Sequence, residues 1–233
     1  LRKMKEEIAW IDTYLFDKKP TNNEAFKEDS PLAEIFKLEE AQQENGLYGV
    51  LNKGMLIPET VSVKEDSISL GRFEITNAQF KVFKEAFSFD TGKDNYPAVV
   101  TKTEAENYVA WLSQQTGTTY RLPNAKEAEK LQQKAAKSSK GQNNLNTWAG
   151  YDLTADDADL LLQKVNSLNY SLLKPVGSNK SVKVGDVTIY DLGGNVAEYS
   201  TTGTYDYSAY DFADPYDQKP VKSEHVGFRV VKE

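Results

Sequence analysis

The chain of 233 residues contains no cysteine and a single histidine, His225. Without thiols there is no disulfide, no thiolate metal site and no cysteine nucleophile. One imidazole excludes any site built from two or more histidines. A Ser-His-Asp triad needs only one, but no G-x-S-x-G elbow is there to present its serine. His225, just before a predicted final strand, reads as a surface or packing residue. The lack of cysteine leaves the compartment open, because exported proteins can also do without disulfides. No run approaches the roughly 18 apolar residues of a membrane-spanning helix. No basic-then-apolar leader opens the chain, and a start in mid-helix without methionine reads as a fragment of a longer polypeptide. Basic charge is also in deficit. There are 28 Lys and Arg against 35 Asp and Glu, a net charge of -7, which argues against a nucleic-acid binder that would need a basic face.

What is present is enough for a sizeable core, with 39% hydrophobic and 11% aromatic residues, in one large domain or two small ones. Residues 1–16 carry Met4, Ile8, Ile11 and Leu15 at helical steps, an amphipathic helix that needs a partner surface. Residues 17–46 read as a connector containing a second helix, started at Pro31 and stopped by Asn45-Gly46. From residue 47 to residue 233 the texture is of short elements. Strands are predicted at Val61–Val63 and Ile68–Leu70, and a helix capped by Thr76 or Asn77 shows Phe80, Phe83 and Phe87 on one face. Thr101 and Glu104 form a capping box for a helix that buries Ala105, Tyr108, Val109 and Leu112 and ends at Gly117. Residues 118–122 read as a short strand, and Asn124 caps a further helix to about residue 136. Residues 137–147 read as a loop, 155–165 as a helix and 166–186 as irregular chain. A strand at Val226–Val231 closes the sequence.

The stretch Tyr190-Asp191-Leu192-Gly193-Gly194-Asn195-Val196-Ala197-Glu198-Tyr199 is the most informative. Adjacent glycines permit positive φ or close backbone approach, which a plain strand does not require. It reads in two ways. Either a strand, a glycine bulge and a second strand leave the acids in water, or Asp191, Glu198 and neighbouring carbonyls converge on a hard cation. The tail after it offers two readings as well. Tyr205, Tyr207, Tyr210 and Tyr216, with acceptors Asp206, Asp211 and Asp214, are either a ligand-stacking surface or a packed, self-satisfied loop.

Five separated segments, in order, resemble the formylglycine-generating enzyme family, also called sulfatase-modifying-factor domains. They are Phe73-Glu74-Ile75-Thr76-Asn77-Ala78-Gln79-Phe80, the helix with Glu104, Ala105, Tyr108, Trp111 and Leu112, Tyr120-Arg121-Leu122-Pro123-Asn124-Ala125-Lys126-Glu127, Tyr190 to Glu198, and Gly227-Phe228-Arg229-Val230. The resemblance implies an α+β, C-type-lectin-like fold with a small mixed β-sheet, few helices and much irregular structure. It also implies oxidation of a substrate cysteine by copper on paired cysteines, or, in a related branch, iron on several histidines. This chain has the ligands for neither, so neither copper nor iron is expected. Lys102 stands where an aromatic is usual, and Ala128 and Ala197 where tryptophan is usual. A structural Ca²⁺ is implied too, and carrying it over gives the side chains of Asp191 and Glu198 and the carbonyls of Gly194 and Val196 as ligands.

Residues 1–16 separately resemble the last helix of prolyl-oligopeptidase-type α/β hydrolases, through an E-x-x-x-W-x-x-x-Y-L element. Together the two resemblances imply a catalytically silent accessory domain behind a hydrolase or peptidase, in a periplasmic or extracellular protein. The alternative is a lectin-like module that binds a glycan or a protein through Tyr205, Tyr207, Tyr210, Asp211 and Tyr216. No nucleic acid and no membrane span enter either reading.

Overall fold

The computed structural model describes residues 30–64, 68–137, 144–179, 181–212 and 224–233. The expected helix over residues 1–16 and the candidate binding residue Tyr216 lie outside them. The chain divides into two compact units, Leu1–Ala41 and Gln42–Glu233. In the first, helix α1 (Pro31–Glu40) starts where the Ser30 hydroxyl accepts a hydrogen bond from the Ala33 amide, with Pro31 in the first turn. It ends at Glu40, short of Asn45-Gly46, and leaves Leu32 and Ile35 exposed.

The second unit begins with a hairpin of β1 (Val50–Asn52) and β2 (Met55–Ile57), turned at Lys53 and Gly54, both of positive φ. Strands β3 (Thr60–Val63) and β4 (Ile68–Gly71) pair antiparallel. Helix α2 (Asn77–Phe83) is opened by a Thr76–Gln79 capping box, and α3 (Lys102–Thr116) by the Thr101–Glu104 box. Gly117 closes α3 at φ 70°, a left-handed stop that costs a side-chain-bearing residue more. After β5 (Tyr120–Arg121) come α4 (Ala125–Lys137), a short α5 (Leu145–Ala149) and α6 (Ala155–Ser167). The chain then forms a hairpin of β6 (Val182–Val184) and β7 (Val187–Ile189), followed by β8 (Ala197–Tyr199), β9 (Thr204–Tyr205), β10 (Val226–Gly227) and β11 (Val231–Lys232).

The sheets are small, as the α+β expectation requires. The largest runs β3-β4-β11-β5, and a three-stranded sheet runs β10-β8-β9 with β10 parallel to β8. The closing segment is therefore two strands in two sheets. Residues 228–230 carry the chain between them, with the Phe228 carbonyl accepting from the Ile75 amide and the Val230 carbonyl from the Gly71 amide. This crossing needs close backbone approach. A Cβ on Gly227 would fall 2.7 Å from Val196 Cγ2 and 3.0 Å from the Ala98 carbonyl oxygen.

Burial of aromatic rings fixes α2 and α3 on this frame. Phe80, fully buried, stacks on Tyr108 at 5.7 Å and meets Phe87 edge-on at 4.8 Å. Phe228 sits against Tyr108 at 5.4 Å. A second apolar cluster, with Val63, Leu70, Leu131, Ile189 and Val231, packs α4 against the four-stranded sheet and the β6–β7 hairpin.

Candidate functional site

The glycine stretch folds as a series of left-handed steps. Asp191, Gly193 and Asn195 have φ of 61°, 97° and 68°. Aspartate and asparagine are the side-chain-bearing residues that tolerate this region best, and here each side chain is tied down. Asp191 accepts from the Gly177 amide, from the Asn179 amide at 3.1 Å and from Asn179 Nδ2 at 3.0 Å. Asn195 accepts from the Lys174 amide at 2.9 Å and donates to Glu74 Oε2 at 2.8 Å and to the Lys174 carbonyl at 3.2 Å. The other Glu74 oxygen takes the Val196 amide at 3.2 Å. The glycine stretch is thereby bound to the segment before α2 and to the segment after α6.

Arg229 lies at the centre and is fully buried. Its Nε donates to both oxygens of Glu198, at 2.9 and 2.7 Å, and its Nη2 adds a third bond to that carboxylate. The remaining donors reach backbone carbonyls, Nη1 to Gly71 at 3.1 Å and Nη2 to Tyr190 at 3.0 Å. One guanidinium thus joins β4, the end of β7 and β8. Glu198 also accepts from the Tyr205 hydroxyl, which fastens β9 to the same point. Asp206 follows directly, accepting from the Gly193 amide and from the Tyr207 amide at 3.0 Å.

Four carboxyl groups, Glu74, Asp191, Glu198 and Asp206, therefore surround a single buried cation. Burial raises Asp191 to about 6 against the opposing donors from Gly177 and Asn179. Burial, and then the charge of Glu198, raises Asp206 to about 7. Glu74 is held well above the ordinary carboxylate range, by burial first and then by Asp191 and Glu198. Burial also raises the Tyr205 phenol, and neighbouring Glu198 adds to the shift. The cluster can hold protons near neutral pH. It has no histidine or thiol with which to do nucleophilic or soft-metal chemistry.

The carboxylate oxygens assigned to calcium are already engaged by other donors. Both oxygens of Asp191 face N–H groups, and both oxygens of Glu198 face a guanidinium. Gly194 and Val196 lie between them in sequence, and the Val196 amide is bound to Glu74. Among the described residues no group of three or more His, Cys, Asp or Glu is arranged to hold a metal. The described tail residues make internal contacts. Tyr205 and Asp211 are buried, and Asp211 accepts from the Ser208 amide at 2.7 Å. Tyr210 stacks on His225 at 3.9 Å and its hydroxyl accepts from the Leu172 amide. Tyr207 is only partly exposed. Burial lowers the His225 pKa, consistent with a packed ring.

Sequence reasoning gave no role to Glu74, Asn195 or Arg229. The available signal was Arg229 itself, a charge in the run Phe228-Arg229-Val230-Val231. A residue in that setting must be paired when the run is buried.

The family model described as "Sulfatase-modifying factor enzyme 1-like domain" matches residues 48–232. Among solved structures, PvdO from Pseudomonas aeruginosa is 19% identical over 71% of this chain and 80% of its own, with a TM-score of 0.44. CarF is 15% identical over 71% of this chain and 86% of its own, with a TM-score of 0.43. A search of curated proteins returns no match. Among the described residues no helix is long and apolar enough to cross a membrane.

Proposed function

The chain belongs to the sulfatase-modifying factor enzyme 1-like family, and from that premise we propose that it is a non-catalytic member, an accessory domain that serves stability, docking or substrate presentation for a hydrolase in the same exported polypeptide. One observation carries the reading. Four polar residues of the family-like motifs are buried and bonded in pairs, Asn195 to Glu74 and Arg229 to Glu198, while the chain has no cysteine at all. Copper-dependent oxidation of a substrate cysteine needs soft thiolate ligands. The oxygen donors and the lone imidazole of this chain do not fit copper in that role.

The test is direct. The chain is incubated with copper, oxygen, a thiol reductant and a sulfatase-type peptide containing cysteine, and the peptide is followed by mass spectrometry. The expected result is unmodified peptide under conditions where an authentic family oxidase converts it. Time-dependent conversion of the cysteine to an aldehyde would sink the non-catalytic reading. The fused-hydrolase part has its own check in the polypeptide upstream of Leu1, where a G-x-S-x-G elbow is expected.

A further inference from the structure

Helix α4 carries its lysines in one row. Its buried face is Ala128, Leu131 and Ala135. At about 100° per residue, Lys126, Lys130, Lys134 and Lys137 fall within roughly 80° of arc, rotated well away from that face. Lys126 and Lys137 are exposed, and Lys130 and Lys134 are half-buried beside the core edge. The row runs for about 16 Å along the helix, with ammonium-bearing residues about 5–6 Å apart in rise. The helix also carries two acids. Glu127 is gripped by Arg121 through bonds of 2.7 and 2.9 Å, and Glu129 accepts from Gln133 at 3.2 Å. A local basic line thus stands on a chain whose net charge is -7.

We propose that this row is a docking surface for an acidic polysaccharide, a linear chain bearing carboxylate or sulfate groups. Complementary charge is the basis for the occupant, and the makeup of the face selects among polyanions. A single-stranded nucleic acid would call for aromatic platforms between the cations, and this arc carries only Lys and Gln, with Glu127 at its edge. A duplex brings about one charge per 1.7 Å against an otherwise acidic body. An anionic membrane surface would call for apolar side chains beside the lysines to enter the interface, and none shares the arc. A flexible polyanion without bases has neither requirement. Lysine serves it as an adaptable point charge, without the fork geometry of arginine.

The whole chain is titrated with heparin, with polygalacturonate, with a single-stranded oligonucleotide and with vesicles rich in anionic lipid. Binding to one or both polysaccharides is expected, weakening about tenfold or more between 50 and 200 mM salt. Replacing all four lysines by glutamine, a comparably good helix former, removes that binding while the circular-dichroism melt is unchanged. Replacing all four by arginine keeps it. Undiminished polysaccharide binding by the glutamine variant overturns the proposal. So does failure of the wild-type chain to bind either polysaccharide at 50 mM salt, or tighter binding to the oligonucleotide or the vesicles.

Discussion

Arg229 enters the core between Phe228 and Val230, where a guanidinium is tolerable only if every donor finds an acceptor. It finds them in Glu198, Gly71 and Tyr190. Arg229→Met removes the cation and leaves the Glu198 carboxylate buried beside three other acids. Breaking one side of such a pair costs about 3–5 kcal/mol, so urea denaturation should show a loss of that order. Adding Glu198→Gln should recover part of it, because the uncompensated charge then disappears with its partner. An Arg229→Met midpoint equal to wild type would mean the pair contributes nothing. Residue by residue, the sequence marked Asp191 and Glu198, because two acids that bracket paired glycines suggest a turn able to gather oxygens. It could not show their partners. Glu74 lies more than a hundred residues from Asn195 in the chain, and a contact that distant leaves no local pattern.

Elements whose causes are local were legible. The Thr101–Glu104 box and the Gly117 stop are written within a few residues of the helix they bound, and α3 runs between them. Losing the Thr101 side chain should cost about 1 kcal/mol. Thr101→Ala is therefore expected to lower the thermal midpoint by about 2–4 °C, and Thr101→Ser to lower it much less. Equal midpoints for the alanine and serine variants would place the cap's contribution elsewhere. Elements that are short, or held by distant partners, were not legible. Helix α5 is five residues long, starts within the last residues of what reads as a loop, and is pinned where the Leu145 amide donates to the Asp211 carbonyl. The β6–β7 hairpin did leave a trace in Val182-Lys183-Val184-Gly185-Asp186-Val187-Thr188-Ile189, alternation around a Gly-Asp turn. Gly185 has φ 63° there. The final strand read as one because nothing local says that residues 228–230 change sheets.

At the scale of the whole molecule, the fold class followed from five motifs in order, and the structure's small sheets and irregular connections agree with it. Three of those motifs are also joined physically. Glu74, the glycine stretch and Arg229 come from three of them and meet in one buried network. That network carries more acid than base, and its titration should set how stability depends on pH. Asp191 and Asp206 have folded pKa values of about 6 and 7, above the ordinary 3.8. The native state therefore binds more protons than the unfolded chain between about pH 4 and 7, and the unfolding free energy falls as pH rises across that window. The contribution is complete below the unfolded values and is lost as each folded value is passed. The thermal midpoint should be higher at pH 5 than at pH 8, by about 5 °C or more if a few kcal/mol are involved. Asp206→Asn should flatten the slope, since an amide has no proton to lose. A calcium ion on Asp191 and Glu198 would reverse the trend, because it binds the ionised carboxylates and its contribution grows as they deprotonate. The same melts with and without excess chelator separate the two cases. Coincident curves that fall from pH 5 to pH 8 support the proton-holding network, and a chelator-sensitive midpoint that rises over the same range would overturn it.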